Sequence, residues 1–185
     1  MIFSYFIKIL TYFFYDNFKN EVIVKKEISK DMLKWNTIYG FSSFTYGFVG
    51  FIMYFFLQNI FTTEQYNIPI PIKYYAICLI LQSFVTFFAD VYFINDESIF
   101  HNIDRFVALF NTLFFCVAFY NISIIEKVIF TIGLINGLYI FKCSRLYRKK
   151  QNIELYSYYH TLWHLTFPLY LLIWFSYRNV MIVSS

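Results

Sequence analysis

The run DRFVALFNTLFFCVAFYNISIIEKVIFTIGLINGLYIFKC, residues 104 to 143, decides the fold. It holds two apolar stretches, 104–121 and 124–143, parted only by Ile122 and Ser123. Each falls within the roughly 17 to 25 residues that carry an α-helix across a bilayer. Charged residues keep near the ends of the stretches: Asp104, Arg105, Glu126, Lys127 and Lys142. The two stretches therefore read as consecutive spanning helices joined by a tight turn.

Three more runs of that kind lie outward from this pair, near 41–60, 70–93 and 158–177. The segment MIFSYFIKILTYFFY, residues 1–15, is shorter and carries Lys8. It lacks the basic start and small-residue cleavage site of a signal peptide, so it reads as an attached interfacial or marginally spanning helix. The expected fold class is all-α: a polytopic transmembrane bundle of about five spanning helices plus this N-terminal helix. Its organisation reads as an apolar helix at 1–18, a basic cytoplasmic connector at 19–40, the bundle at 41–178 and a tail at 179–185. Composition agrees: of 185 residues, 59% are apolar and only 14% charged, and no polar stretch is long enough for a soluble domain. The 26 Phe and 18 Tyr carry no functional reading of their own. Cys78, Cys116 and Cys143 share no metal-type spacing and read as small hydrophobes.

Basic residues set the orientation. Eleven of the 15 Lys and Arg fall on alternate connections: Lys19 to Lys34, Arg105, and Lys142 to Lys150. The positive-inside bias puts 19–40, 94–104 and 143–157 on the cytoplasmic side or its organellar equivalent. The net charge of +4 follows from that bias. KCSRLYRKK, residues 142–150, accordingly reads as a topological anchor, with no nucleic acid among the expected partners.

With orientation set, depth can be compared. Asp90 lies near the cytoplasmic end of the second long run, His101 and Asp104 at the start of the third, and His160 and His164 in the first turns of the fifth. All three histidines and two aspartates thus share one layer at the membrane edge, where ionisable groups are costly unless they face a bundle interior or cavity. His160 and His164 are spaced i, i+4 and project together, as do His101 and Asp104 at i, i+3. These groups exceed the three protein ligands of a catalytic zinc, leaving a carboxylate to serve as general base. The bland alternative is a hydrogen-bonded network pinning helices. Gln82, Ser83, Asn111 and Asn136 read as interhelical hydrogen-bonding groups, Arg105 as an interfacial residue snorkelling to water, and Pro168 as a kink four residues after His164.

The segments YHTLWHL (159–165) and HNIDRFVALF (101–110) resemble motifs of the seven-helix hydrolase superfamily of alkaline ceramidases, progestin and adiponectin receptors and haemolysin III-type proteins. The resemblance, spanning roughly residues 74 to 177, implies one bound zinc held by His160 and His164, with Asp104 as the family's aspartate. It implies hydrolysis of ceramide-like lipid amides or related lipids, with membrane lipid as partner. Where the family has its third histidine, four residues after a serine, this chain has Asp90, 14 residues before Asp104, preceded by Thr86. Either Asp90 replaces that histidine, or His101 supplies the third imidazole with Ser98 nearby. Asp90, His160 and His164 are the favoured ligands, with Asp104 as orienter or base, His101 as a fourth ligand, and Ser83, Thr86 or Ser98 helping to hold an oxyanion. Five helices instead of seven keep both motifs on the same side. The competing class is a non-enzymatic membrane subunit or receptor-like protein with a structural His/Asp cluster. Haem ligation is weaker, because two histidines one turn apart cannot flank one porphyrin.

Overall fold

The computed structural model describes residues 37–57, 72–94, 96, 98–120 and 122–183, and among them every regular element is a helix. The apolar helix expected at 1–18 and most of the 19–40 connector lie outside the described residues. Two short helices come first, α1 (Ile38–Ser42) and α2 (Thr45–Ile52), the latter running on as a wider π-helical turn, Met53–Leu57. Then follow α3 (Ile72–Phe87), also ending in a π-helical turn (Phe88–Tyr92), α4 (Ile99–Tyr120), α5 (Ile124–Lys149) and α6 (Ile153–Val183). The first spanning run thus begins earlier than the expected residue 41, and α6 continues through the expected tail to Val183.

Among the described residues, three stretches are long and apolar enough to cross a membrane: Ile38–Phe56, Ile72–Tyr92 and Ile124–Lys149. The other two long helices, of 22 and 31 residues, carry all three histidines. α4 holds His101, Asp104 and Arg105 in its opening turns, and α6 holds Glu154, His160, His164 and Arg178. Phe48, Leu81, Phe106, Ile135 and Leu169 are each more than half exposed, so the long helices turn apolar side chains outward.

Small residues let the helices close on one another. A Cβ on Gly50 of α2 would lie 2.6 Å from the Ala76 carbonyl oxygen of α3, and one on Gly133 of α5 would lie 2.7 Å from the Tyr170 ring of α6. Such close approach is the usual packing device where no hydrophobic force drives helices together. α5 packs chiefly along α6, α2 along α3, and α3 along α4, while α1 and α2 also reach α6. The core between them includes Val49, Met53, Tyr75, Leu79, Trp174 and Phe175, with Tyr75 stacked on Phe114 at 4.2 Å.

Local signals define α5 at both ends. Ser123 and Glu126 form a capping box at its start, satisfying amides that have no partner within the helix. At its end Gln151 adopts φ 56°, and Asn152 N–H donates to Tyr147 O (3.0 Å) while Gln151 N–H donates to Arg148 O (3.0 Å). That paired pattern closes a helix with a left-handed residue. Asn152 Oδ1 then accepts from Leu155 N–H at 3.1 Å, starting α6 one residue later. The reversal brings the C-terminal turns of α5 beside the first turns of α6, which carry the HxxxH pair.

Candidate metal centre

Three elements converge at this end of the bundle. α6 supplies His160 and His164, one turn apart, with ring centroids 4.6 Å from each other. The end of α3 supplies Asp90, seated in the π-helical turn, where Phe93 N–H donates to Phe88 O at 2.9 Å. π-helical turns are rare and recur at functional sites, since the widened turn resets the direction of the side chains within it. Here Thr86 and Asp90, four residues apart, serve different neighbours: Thr86 Oγ1 donates to Asp104 Oδ1 of α4 at 2.5 Å, while Asp90 meets α6.

Asp90 Oδ2 lies 3.1 Å from His160 Nε2 and 3.3 Å from His164 Nε2, and one ligand atom from each residue lies within 4.8 Å of the others. Ligands about 2.0–2.2 Å from a tetrahedral zinc stand roughly 3.3 Å apart, so the two separations from Asp90 match edges of such a site. Both Nδ1 atoms meet serine hydroxyls: His164 with Ser42 Oγ at 2.9 Å and His160 with Ser144 Oγ at 3.1 Å. Ser42 has one proton, and it is directed to the Tyr39 carbonyl at 2.6 Å. Its oxygen therefore accepts from His164 Nδ1–H, and Nε2 of a neutral ring presents a lone pair to the Asp90 carboxylate. Two lone pairs at that distance need a proton between them, on the ring or on the carboxyl group, or a metal ion. This is the outer hydrogen bonding that orients metal-bound histidines.

The surroundings hold these side chains in place. Tyr39 stacks on His160 (5.5 Å between centroids) and donates its hydroxyl to the Asp90 carbonyl at 3.1 Å. Pro168 has no N–H for the His164 carbonyl one turn back, so a helical bond is missing there. Thr45 Oγ1 fills the vacancy, sharing its proton between the carbonyls of Ser42 (2.7 Å) and His164 (2.8 Å).

A cavity of about 170 Å³ opens beside these groups and is lined by Thr86, Asp90, Asp104, His160 and His164. His101 lines it too, but lies outside the cluster of Asp90, His160 and His164. Two of the expected hydroxyls are placed elsewhere. Ser83 donates to Ile80 O at 2.7 Å and abuts Gly47 of α2, while Ser98 accepts from Phe100 N–H at 3.2 Å and caps α4. Sequence reasoning did not single out Tyr39, Ser42, Thr45 or Ser144. Only Ser144 carries any positional signal, lying 16 residues before His160 across the α5–α6 reversal. No protein-family model, curated protein or solved structure matches this chain, so the site stands on its own geometry.

Proposed function

We propose that this protein is a multi-pass membrane hydrolase-like protein that cleaves a lipid amide or ester at a zinc centre held by Asp90, His160 and His164. The observation that carries this reading is the meeting of three ligand atoms from α3 and α6 on a cavity that also contains a second carboxylate, Asp104. The donor set, two imidazoles and one carboxylate, is that of known catalytic zinc sites, and its hydrogen-bonded Nδ1 atoms fit the requirement for oriented ligands. A zinc bound there supplies Lewis acidity toward the scissile carbonyl and toward water.

The chain's own residues do the rest. Thr86 gives its only proton to Asp104 Oδ1, which fixes that carboxylate and leaves Oδ2 to take a proton from the attacking water. As the water oxygen bonds to the acyl carbon and the C–N or C–O bond breaks, that proton passes to the departing nitrogen or oxygen. His101 stands at the cavity wall outside the ligand set. The outward apolar side chains and the basic ends of the helices support a bilayer setting, with five crossings in the order read from the sequence.

Metal content and turnover test this together. Purified protein should hold about one zinc per chain. Asp90→Ala and His164→Ala should each lose most of it along with hydrolysis of acyl amide or ester lipids, and His101→Ala should keep the metal. The second reading is a structural clasp, favoured by the fact that both imidazole–carboxylate distances already suit hydrogen bonds. Protein that takes up no zinc and keeps its full thermal stability in chelator would establish the clasp instead.

A further inference from the structure

α5 is the least covered of the three long apolar stretches, with 17% of its apolar span buried inside the chain against 44% of each of the other two. Its glycine face, Gly133 and Gly137, is filled by side chains of α6. Roughly 120–160° around the helix from those glycines run Ile125, Val128, Ile132, Ile135 and Tyr139, between 48% and 63% exposed. Their spacing alternates three and four residues, the 3.5-residue repeat of a seam that accepts a second helix along its length. Lipid tails impose no such repeat. Two exposed polar residues flank the seam, Thr131 on one side and Asn136 on the other. Asn136 stands midway along Ile124–Lys149, at a depth where an amide facing hydrocarbon finds no water. Its Nδ2 donates one proton to the Tyr170 hydroxyl at 2.8 Å, and its Oδ1 and second N–H meet no other group among the described residues. Thr131 gives its proton to Lys127 O at 2.7 Å, which leaves its oxygen free to accept.

We propose that two copies of this chain pair in the membrane through α5, the seams of the two helices in contact and the second Nδ2–H of each Asn136 donated to the hydroxyl of Thr131 of the partner subunit. All copies insert in one orientation, so the two helices run parallel. In a parallel seam of this repeat, a flanking residue of one helix lies opposite the residue five positions along on the other, and Thr131 and Asn136 are five apart. Two-fold symmetry then forms both bonds at once. The run 1–15 is a poorer occupant of this face, since Lys8 at its centre would bring an ammonium to the depth of Asn136. The pairing rests on the bilayer setting proposed above and is independent of the metal.

Energy transfer between two fluorescently labelled populations of the full chain in phospholipid bilayers tests this. Transfer should rise with the protein-to-lipid ratio to the plateau of a dimer. Asn136→Leu and Thr131→Val should each raise the dissociation constant at least about fivefold, as two interhelical hydrogen bonds allow, and the double variant should add little more. Thr131→Ser, which keeps the hydroxyl, should match the wild type. With Cys78, Cys116 and Cys143 replaced by alanine, Ile135→Cys should cross-link between copies on oxidation, and Leu169→Cys on the exposed side of α6 should not. Transfer no higher than random encounter gives, an unchanged constant in Asn136→Leu, or cross-linking at Leu169→Cys in place of Ile135→Cys overturns the proposal. Loss of the dimer on removal of residues 1–18 overturns it as well, because the contact then belongs to that segment. Cysteines at Lys127 and Gln151 that label from opposite faces of the membrane in a chain that stays monomeric defeat the pairing alone, whereas labelling of both from one face defeats the bilayer setting with it.

Discussion

His164 shows how much one side chain depends on partners distant in the sequence. It is 1% exposed, its Nδ1 meets Ser42 from 122 residues away, and its carbonyl meets Thr45. The HxxxH spacing made the imidazole legible, because residues one turn apart on a helix share a face. Nothing local to Ser42 marks it, since a serine in an apolar helix usually bonds its own backbone, as Ser43 does to the Gly40 carbonyl at 2.5 Å. If Ser42 orients a metal-bound His164, Ser42→Ala should weaken zinc affinity by about 10- to 100-fold while the protein stays folded, since outer-shell partners matter to that extent. Competitive titration against a zinc chelator measures it. An unchanged affinity would mean that the serine only fills a hydrogen bond.

At the scale of the helix, two irregularities build the site. The π-helical turn Phe88–Tyr92 aims Asp90 at α6, and Pro168 opens a carbonyl that α2 then occupies. The freed carbonyl was legible from the proline, whereas its partner was not, because Thr45 comes from a helix more than a hundred residues earlier. Thr45→Val keeps the side-chain shape but removes the donor. It should destabilise the bundle by about 1–3 kcal/mol, the usual cost of a buried polar group left unpaired. Thermal unfolding in detergent checks this, and a stability within a few tenths of a kcal/mol of wild type would show that water reaches the carbonyl. Gly133→Leu tests the α5–α6 contact in the same assay. Its side chain would have to displace the Tyr170 ring, whose hydroxyl accepts from Asn136 Nδ2–H at 2.8 Å, and overpacking of this kind costs about 1–3 kcal/mol.

Across the whole molecule, the two ends of the bundle hold different chemistry. The end opposite Asp90, His160 and His164 is closed by Glu126, 4% exposed, which pairs with Arg178, 6% exposed. Its carboxylate also accepts from Trp174 Nε1–H at 2.7 Å and from Ser123 N–H at 2.7 Å. Glu126→Ala leaves the guanidinium buried without its counter-ion and should destabilise by about 3–5 kcal/mol. Glu126→Gln should recover part of this, since the amide oxygen still accepts. Cysteines placed at Lys127 and Gln151, in the first turn and just past the last turn of α5, should label from opposite faces of a sealed membrane, Gln151 from the cytoplasmic side. Labelling of both from one face would remove the bilayer-spanning assignment of α5.

The sequence by itself determined the helices and the candidate residues. Apolar runs of spanning length leave a chain little choice but to satisfy its backbone within helices. Ionisable groups are costly against lipid, which is why their clustering near helix ends raised the expectation of a shared interior. Tertiary structure alone decided which of those groups meet. His101 and Asp90 line one cavity, and helical periodicity says where each points on its own helix, but not how the helices are rotated against one another. That rotation is set by side-chain packing at contacts such as Gly50 on Ala76 and Gly133 on Tyr170, together with the π-helical turn before Asp90. Those contacts bring Asp90 to His160 and His164, give Thr86 to Asp104, and assign Ser98 to capping a helix. They are sums of many small, non-local interactions, so no short stretch of the chain records them.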